Sequence, residues 1–195
     1  IGGGHDAFGR EIAPLDLEAL DAALTTMREH VDGIAVTAAF AVRNPSHERA
    51  AAARISPLTG LPVTLSSELT SRLDAPRRAL TTLLNARLIP SIGRLIAAVE
   101  RLMAELLIDA PLVVVRGDGA LMAAAVARAR PVETILSGPA ASVVGAAHLS
   151  GLARAIVSDV GGTTTDVAIL EDGRPRLARE GAMVGGHRTM VEAID

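Results

Sequence analysis

The chain has 195 residues, a formal net charge of −3 at pH 7 and a hydrophobic content of 49%. The small negative charge argues against nucleic-acid binding, and the absence of cysteine excludes disulfides and thiolate metal sites. No uninterrupted apolar run is long enough to cross a bilayer and no signal peptide is visible, so we expect a cytoplasmic protein with neither a nucleic-acid nor a membrane partner.

The two ends of the sequence indicate an internal piece of a longer protein. The chain begins with Ile1 and stops at Asp195, directly after a periodic run over residues 189–194. We therefore expect an excised segment rather than a finished domain.

The first part of the chain predicts a helix followed by a strand. Residues 1–14 are rich in glycine and predict irregular structure. Asp16 stands where an N-cap is expected, and the apolar residues after it recur at helical spacing until Gly33 stops the helix. Residues 34–40 are apolar apart from Thr37, which predicts a buried strand.

The next stretch predicts a short helix, a strand and a long helix. The Asn-Pro pair at 44–45 is typical of a helix start, and this helix is expected to end near Ile55. Residues 63–65 predict a second strand. Residues 75–107 follow a helical pattern, which Pro90 should kink or divide. The apolar stripe of this long helix predicts core packing, with binding of a partner helix as the alternative.

The middle of the chain predicts a strand, a turn and two helices. Residues 112–115 are fully apolar and predict a buried strand, and a short helix is expected at 121–128. Because α/β sheets bind ligands at the carboxyl ends of strands, Asp118 in the turn between them is a minor candidate for a place near a cleft. Residues 135–147 predict a helix of mostly small residues, which is either a tight packing element or a crossing point between two lobes.

The most informative stretch, residues 155–170, predicts a strand, a tight turn and a returning strand. Within it, residues 159–166 read Asp-Val-Gly-Gly-Thr-Thr-Thr-Asp between two apolar runs. Adjacent glycines remove every Cβ where the backbone turns and approaches something closely, and the free N–H groups of such a turn suit phosphate. Because an Asp at each end would repel a bare phosphate, a bridging Mg²⁺ is expected. The alternative is a hairpin whose Gly-Gly pair only turns the chain.

The sequence after this hairpin predicts more antiparallel structure. Residues 175–179 predict a third strand, which Pro175 confines to an edge or a strand start. Residues 184–187 form another Gly-rich turn, where His187 is a minor candidate for a catalytic role. The whole pattern predicts an α/β fold, in which a mixed sheet with flanking helices is followed by an antiparallel meander from about residue 151.

Several stretches together resemble one family. Residues 159–166 look like the second phosphate motif of the actin-like ATPase fold (ribonuclease H-like), and the Ile-Leu-Ser-Gly-Pro-Ala-Ala-Ser-Val-Val-Gly-Ala run at 135–146 resembles the connecting helix between its two lobes. The whole chain is similar to the ATP-dependent hydantoinase A/5-oxoprolinase family, which includes acetone carboxylase subunits. Supporting matches lie at residues 44–49, 81–86 and 115–119.

This resemblance implies a division of the chain. Residues 1–137 would be the later part of the first lobe, residues 138–150 the connecting helix, and residues 151–195 the start of the second lobe with its phosphate-binding hairpin. Family members carry an earlier phosphate hairpin and a later adenosine segment that have no counterpart in this sequence. The chain would therefore supply one side of a nucleotide clamp.

The resemblance also implies a chemistry, in which ATP phosphorylates the amide oxygen of a small cyclic amide and water then attacks the ring carbon. Asp159 and Asp166 would be the catalytic residues, either holding Mg²⁺ or orienting the attacking group. The residues implied to bind the ATP phosphates, through backbone N–H groups or hydroxyls, are Gly161, Gly162, Thr163 and Thr164.

Other functions use the same hairpin and stay open at this point. One is a ketone carboxylase subunit that forms an enol phosphate, and another is a non-catalytic actin-like module for nucleotide binding or assembly. A degenerate, purely structural motif is the third. The expected partners are a cyclic-amide substrate and either a second hydantoinase-type subunit or further copies of this chain.

Overall fold

The computed structural model describes residues 1–27 and 30–195, and the chain divides into two compact units, Ile1–Pro90 and Ser91–Asp195. The first unit holds a β-hairpin, three helices and a parallel strand pair. Its elements are β1 (Gly4–His5), β2 (Glu11–Ala13), α1 (Leu17–Met27), β3 (Ile34–Val36), α2 (Ser46–Thr59), β4 (Val63–Leu65) and α3 (Ser66–Leu69). A fourth helix, α4 (Ala75–Glu105), begins in this unit and ends in the second.

The core of the first unit lies between α1, α2 and the parallel β3–β4 pair. Asp16 accepts a hydrogen bond from the Ala19 N–H at 2.9 Å, which confirms it as the cap of α1. Burying an aliphatic side chain stabilises the fold by about 1.5–3 kcal/mol. The side chains buried in this core are Leu20, Leu24, Ala51 and Ile55, with Leu15, Ile34, Val36 and Val63 packed against them.

The N-terminal segment differs from the prediction in two places. α1 ends at Met27, whereas the apolar spacing continued further. Residues 28–29 of the predicted helix lie outside the described residues, and residues 30–33 are not helical. Val31, the last residue of the predicted stripe, is 37% exposed, so burial does not favour a further turn. Residues 1–14, predicted to be irregular, contain the short antiparallel β1–β2 hairpin.

Two further elements differ in length from the prediction: a strand is shorter and a helix is longer. The strand predicted at 34–40 is cut to 3 residues, because hydrogen-bonded turns occupy residues 38–44. α2 runs beyond its predicted end at Ile55, and Gly60 caps it in the left-handed conformation with a φ of 67°. The strand predicted at 63–65 is confirmed as β4.

A buried charged network ties the segment after β3 to the start of α3. The Glu48 carboxylate, 1% exposed, accepts a hydrogen bond from the Ser66 hydroxyl at 2.5 Å. The buried Arg78 guanidinium donates to the backbone carbonyls of residues 38–39. Burial lowers the pKa of Arg78 below its ordinary value, while nearby carboxylates oppose that shift. Removing one partner of such a network costs about 3–5 kcal/mol, because the remaining charge is left buried and unpaired.

α4 is one helix of 31 residues, although Pro90 stands in its middle. The sequence predicted a kink or a division at this proline. The helix is not divided, but the two compact units part between Pro90 and Ser91. By length and composition alone α4 would also cross a membrane, a test that core helices of soluble proteins pass as well. The absence of a membrane partner therefore stays a prediction.

The second unit packs a helix onto a three-stranded antiparallel sheet formed by β7, β8 and β9. The elements of this unit are β5 (Val113–Val115), β6 (Leu121–Ala123), α5 (Ala124–Ala129), a 3-10 turn (Pro131–Thr134), α6 (Ser137–Ser150), β7 (Ala155–Val160), β8 (Thr165–Glu171), β9 (Arg174–Pro175), β10 (Leu177–Ala178), β11 (Met183–Val184), β12 (His187–Arg188) and β13 (Ala193–Ile194). The other strands of this unit form two-stranded sheets, which pair β5 with β6, β10 with β13 and β11 with β12. The α/β class is confirmed, with small sheets among the described residues in place of the larger mixed sheet that the sequence predicted.

Three elements of the second unit differ from the prediction. The buried strand predicted at 112–115 is one arm of the antiparallel β5–β6 hairpin, and Val113 is 48% exposed. The helix predicted at 121–128 begins as β6 and becomes helical only in α5. The strand predicted at 175–179 divides at Arg176, because β9 pairs with β8 whereas β10 pairs with β13. Short apolar runs do not reveal their pairing partners, which explains all three differences.

One core of the second unit forms where α6 lies on the β7–β8 hairpin, and a second lies around Ile96 and Met122. The small residues predicted for this helix allow it to pack closely on the sheet. The buried residues of this contact are Ala140, Val143, Ala168, Leu170 and Ile194. The tight packing is confirmed, whereas the division into lobes at residues 137 and 150 stays a prediction.

Candidate functional site

The β7–β8 hairpin sets two aspartates opposite each other at the base of its turn. The antiparallel register pairs Asp159 with Asp166 and Val160 with Thr165, which leaves residues 161–164 as the turn. The hairpin predicted from the sequence is therefore present, with its two acidic residues on neighbouring strands.

Both carboxylates project from the face of the hairpin that packs on α6. Side chains alternate along a strand, and Val157 and Ala168, each two residues further from the turn, belong to the packing beneath α6. Asp159 and Asp166 follow on the same face and are exposed. Directly opposed residues have Cβ atoms about 5 Å apart, and like charges in such a pair destabilise a hairpin. A cation between the two carboxylates would relieve this repulsion.

The donor set fits Mg²⁺ held jointly with a phosphate. Mg²⁺ takes one or two carboxylates and fills its remaining positions with water and phosphate oxygens. Within residues 1–27 and 30–195, no three or more His, Asp or Glu side chains are placed to hold a metal by protein ligands alone. Asp159 and Asp166 would supply the carboxylates that such a shared site needs.

A helix residue that sequence reasoning missed contacts this pair. Ser142 of α6 donates its hydroxyl proton to Oδ2 of Asp159 at 2.6 Å, a distance typical of a hydrogen bond to a charged oxygen. The sequence predicted only a helix of mostly small residues at 135–147. The available signal was one serine among the small and apolar residues at 139–147, 13 residues before Ala155, where the strand that carries Asp159 begins.

A groove of about 160 Å³ opens beside the carboxylates. Pockets for whole ligands measure about 300–1,000 Å³, so the groove has room for part of a nucleotide, such as a phosphate group. Apart from the acidic side chains its walls are apolar. They come from α6, the hairpin and β13, and the lining residues are Leu136, Pro139, Val143, Val157, Asp159, Asp166, Val167, Ala168, Ile194 and Asp195.

The glycine turn does not use a left-handed backbone. Neither Gly161 nor Gly162 has a φ in the left-handed region. A Cβ at Gly162 would meet no heavy atom within 4 Å, and one at Gly161 would lie 3.4 Å from the Thr164 carbonyl oxygen, an ordinary contact. The fold of this chain therefore does not require glycine at either position. A group that approaches the backbone from outside would require it.

One backbone amide of the turn is engaged within the hairpin. The Gly161 N–H donates to the Thr164 carbonyl at 2.9 Å and closes the turn. Gly162, Thr163 and Thr164 are exposed, as phosphate contacts require. The phosphate-binding roles of all four residues stay predictions. The Gly161 N–H could contact a phosphate only by donating to it and to the Thr164 carbonyl at the same time.

Two minor candidates lie away from the groove. Asp118 pairs with Arg116 at 3.2 Å and accepts the Ala120 N–H at 3.0 Å, so its carboxylate stabilises the β5–β6 turn. His187 is exposed in β12, beside the other Gly-Gly turn. Neither residue lines the groove next to the paired aspartates.

Two family models match the sequence. The model described as Hydantoinase/oxoprolinase matches residues 78–195, and the model of the Hydantoinase/oxoprolinase N-terminal region matches residues 1–58. The first match includes α6 and the β7–β8 hairpin.

Two relatives in sequence are much longer than this chain. Caprolactamase subunit alpha of Pseudomonas jessenii is 34% identical over 185 residues, which cover 92% of this chain and 27% of that protein. An uncharacterized protein of Methanocaldococcus jannaschii is 26% identical over 180 residues, which cover 90% of this chain and 26% of that protein. The chain thus spans about a quarter of the length of these relatives.

Two solved structures share the fold. One is the nucleotide-free structure of acetone carboxylase, from a study of the mechanism of ATP-dependent acetone carboxylation. It has a TM-score of 0.85 at 23% identity, and the match covers 99% of this chain and 28% of the acetone carboxylase chain. The other is the ATP-dependent caprolactamase from Pseudomonas jessenii, with a TM-score of 0.81 at 32% identity. The match covers 100% of this chain and 29% of the caprolactamase chain. The chain has the fold of one part of these enzymes.

Proposed function

This chain belongs to the hydantoinase/oxoprolinase family, and from that premise we propose that it is part of an enzyme that uses ATP to open a cyclic amide. The caprolactamase relative, at 34% identity, supports the cyclic-amide class of substrate. The structural similarity to acetone carboxylase, at 23% identity, supports only the fold and does not indicate a substrate.

The observation that carries the proposal is the pairing of Asp159 with Asp166 beside a glycine turn that the fold itself does not require. Phosphoryl transfer needs positioning and charge neutralisation more than covalent help from the protein. Two opposed carboxylates and an exposed backbone turn supply those two functions at one place. A turn that only reversed the chain would need neither the acidic pair nor the missing Cβ atoms.

The proposed reaction consumes one ATP and two water molecules. The amide oxygen takes the γ-phosphoryl group and ADP leaves, which makes the ring carbon more electrophilic. Water adds to that carbon, the ring C–N bond breaks, and the nitrogen leaves with a proton as an amine. A second water releases inorganic phosphate, so the products are ADP, phosphate and the open amino acid.

The residues of this chain act at the phosphate end of that reaction. When bound, Mg²⁺ would neutralise charge on the transferring phosphoryl group. Asp159 and Asp166 would hold this ion, and the backbone of Gly162 and Thr163 would bind phosphate oxygens through their N–H groups. The hydroxyls of Thr163 and Thr164 would add contacts.

The proposal includes a second polypeptide. The caprolactamase relative is named a subunit alpha, and the chain spans 27% of its length. We expect the complete enzyme to combine this family's alpha-type chain with a different subunit. Size-exclusion chromatography with light scattering would separate this arrangement from assembly of identical copies.

The direct test is an amide NMR titration of the chain with Mg-ATP. Saturable shifts are expected at Gly162 and Thr163, whereas the amides of Gly185 and Gly186 at the other Gly-Gly turn should stay in place. The shifts should disappear in Asp159→Ala. A folded sample with no shifts near Gly162, both in this chain and in a protein extended at both ends, would contradict the phosphate role.

A second assay tests the substrate class. Phosphate release by the complete enzyme should rise with lactams or hydantoins and stay at its basal rate with small ketones. Stimulation by ketones and bicarbonate instead would favour the ketone carboxylase. Nucleotide-dependent sedimentation without any stimulated turnover would favour an assembly module.

A further inference from the structure

Ser142 differs from five threonines of the helices in the acceptor to which its hydroxyl donates. A serine or threonine inside a helix commonly donates to the carbonyl four residues earlier. The residues that do so are Thr25, Thr26, Thr59, Thr81 and Thr82. Ser142 instead donates to Oδ2 of Asp159 on β7, at 2.6 Å.

The helix that carries Ser142 is held firmly by its neighbours in the core. Ala140 is fully buried and Val143 is 3% exposed, and both pack against the β7–β8 hairpin. The Ser142 hydroxyl therefore projects from a helix segment whose position is fixed on both sides. A contact from such a segment holds its partner better than one from a mobile loop.

The contact counteracts the repulsion between the two aspartates. Asp159 and Asp166 are directly opposed, and without a restraint the Asp159 side chain would turn away from its like-charged neighbour. The hydrogen bond from Ser142 occupies Oδ2 and restricts the rotation of the carboxylate. The second oxygen, Oδ1, is left for a cation.

We infer that Ser142 is a positioning residue, which holds the Asp159 carboxylate in the orientation that binds a divalent cation. The inference rests on the proposed function, because it assigns Ser142 to the cation site proposed for Asp159 and Asp166. Ser142 itself touches neither the nucleotide nor the cyclic amide. It acts through Asp159, as partners of metal ligands do.

The test measures the affinity of the chain for Mn²⁺ alone, by calorimetry, in the unsubstituted protein and in Ser142→Ala. Loss of a residue that orients a metal ligand weakens metal binding by about tenfold or more, which is the expected result. Ser142→Thr, which keeps the hydroxyl, should restore the affinity. Ser158→Ala is the matched control, because Ser158 is an exposed serine of β7 on the opposite face.

A double substitution separates positioning from general damage to the helix. In the Asp159→Ala background, Ser142→Ala should have no further effect on Mn²⁺ affinity, because the two residues act as one unit. Alanine is a better helix former than serine, so Ser142→Ala should fold, and thermal unfolding checks this.

The outcomes distinguish the inference from the proposed function. If Asp159→Ala weakens Mn²⁺ binding while Ser142→Ala leaves it unchanged, the positioning role is wrong and the cation site stands. If the unsubstituted chain binds Mn²⁺ neither alone nor in the presence of ADP, the cation site and the positioning role both fail. If it binds Mn²⁺ only with ADP, the same variants are compared with ADP present. Additive effects of the two substitutions would also overturn the positioning role.

Discussion

The two Gly-Gly turns of the second unit look alike in sequence and differ in the reason for their glycines. Gly185 and Gly186 have φ angles of 55° and 80°, the left-handed conformations of a two-residue hairpin turn. Gly161 and Gly162 avoid that region, and a Cβ at either position would find room. A glycine that the backbone needs is explained by the fold. A glycine that the backbone does not need points to an external group, here the proposed phosphate.

The largest expected effect comes from the acidic residue at the base of the first turn. Asp166→Ala should lower ATP turnover by the complete enzyme at least about 100-fold, because it removes charge compensation where the phosphoryl group transfers. Folding should be nearly unchanged, since Asp166 is exposed. Coupled-enzyme measurement of ADP release gives the rate, and turnover close to that of the unsubstituted enzyme would refute the assignment.

Gly162→Ala tests the first turn directly. The added Cβ meets nothing within the chain, so stability should change by less than about 0.5 kcal/mol. The same Cβ would displace a phosphate from the backbone, and we expect ATP affinity to fall about tenfold or more. Urea unfolding and an ATP titration measure the two quantities. Unchanged ATP affinity in a folded protein would remove the main argument for an external ligand at this turn.

Gly186→Ala is the matched substitution in the second turn and should show the opposite result. Placing a Cβ at a φ of 80° costs about 1 kcal/mol, which urea unfolding would detect. ATP affinity should stay within error of the unsubstituted protein. If Gly186→Ala weakened ATP binding as much as Gly162→Ala does, the two turns would not differ in the way proposed here.

The smallest effect is expected at the histidine beside the second turn. His187 is exposed in β12 and does not line the groove of the paired aspartates. His187→Ala should change the free energy of unfolding by less than about 0.5 kcal/mol and leave ATP turnover unchanged. A clear loss of turnover would mean that the second turn also reaches the reacting groups.

The sequence predicted those features that depend on local signals. Asp16 caps α1 as its position before an apolar repeat indicated, and the hairpin around residues 161–164 follows from two apolar runs separated by glycines. The acidic ends of that hairpin were also recognised from sequence alone. Each of these inferences needs only residues within a few positions of one another.

Features that depend on distant contacts were not predicted. Val113 was expected in a buried strand, but its exposure depends on how the β5–β6 hairpin sits in the unit. The contact between Ser142 and Asp159 exists only because α6 packs on β7, and no local pattern marks it. Residues 30–33 are not helical although the apolar repeat continues to Val31, because a helical repeat can continue in sequence where its side chains stay exposed.

The packing of Ile194 has a consequence for the order of folding during synthesis. Its side chain completes the core beneath α6, and its N–H donates to the Gly117 carbonyl at 2.9 Å, far back along the chain. The β10–β13 pair closes the same region. As the chain leaves the ribosome, α6 and the β7–β8 hairpin emerge before Ile194 can cover them, and domains assemble only once their distant contacts are available. The carboxylate pair on this hairpin therefore reaches its final arrangement only after residues 193–194 have been synthesised.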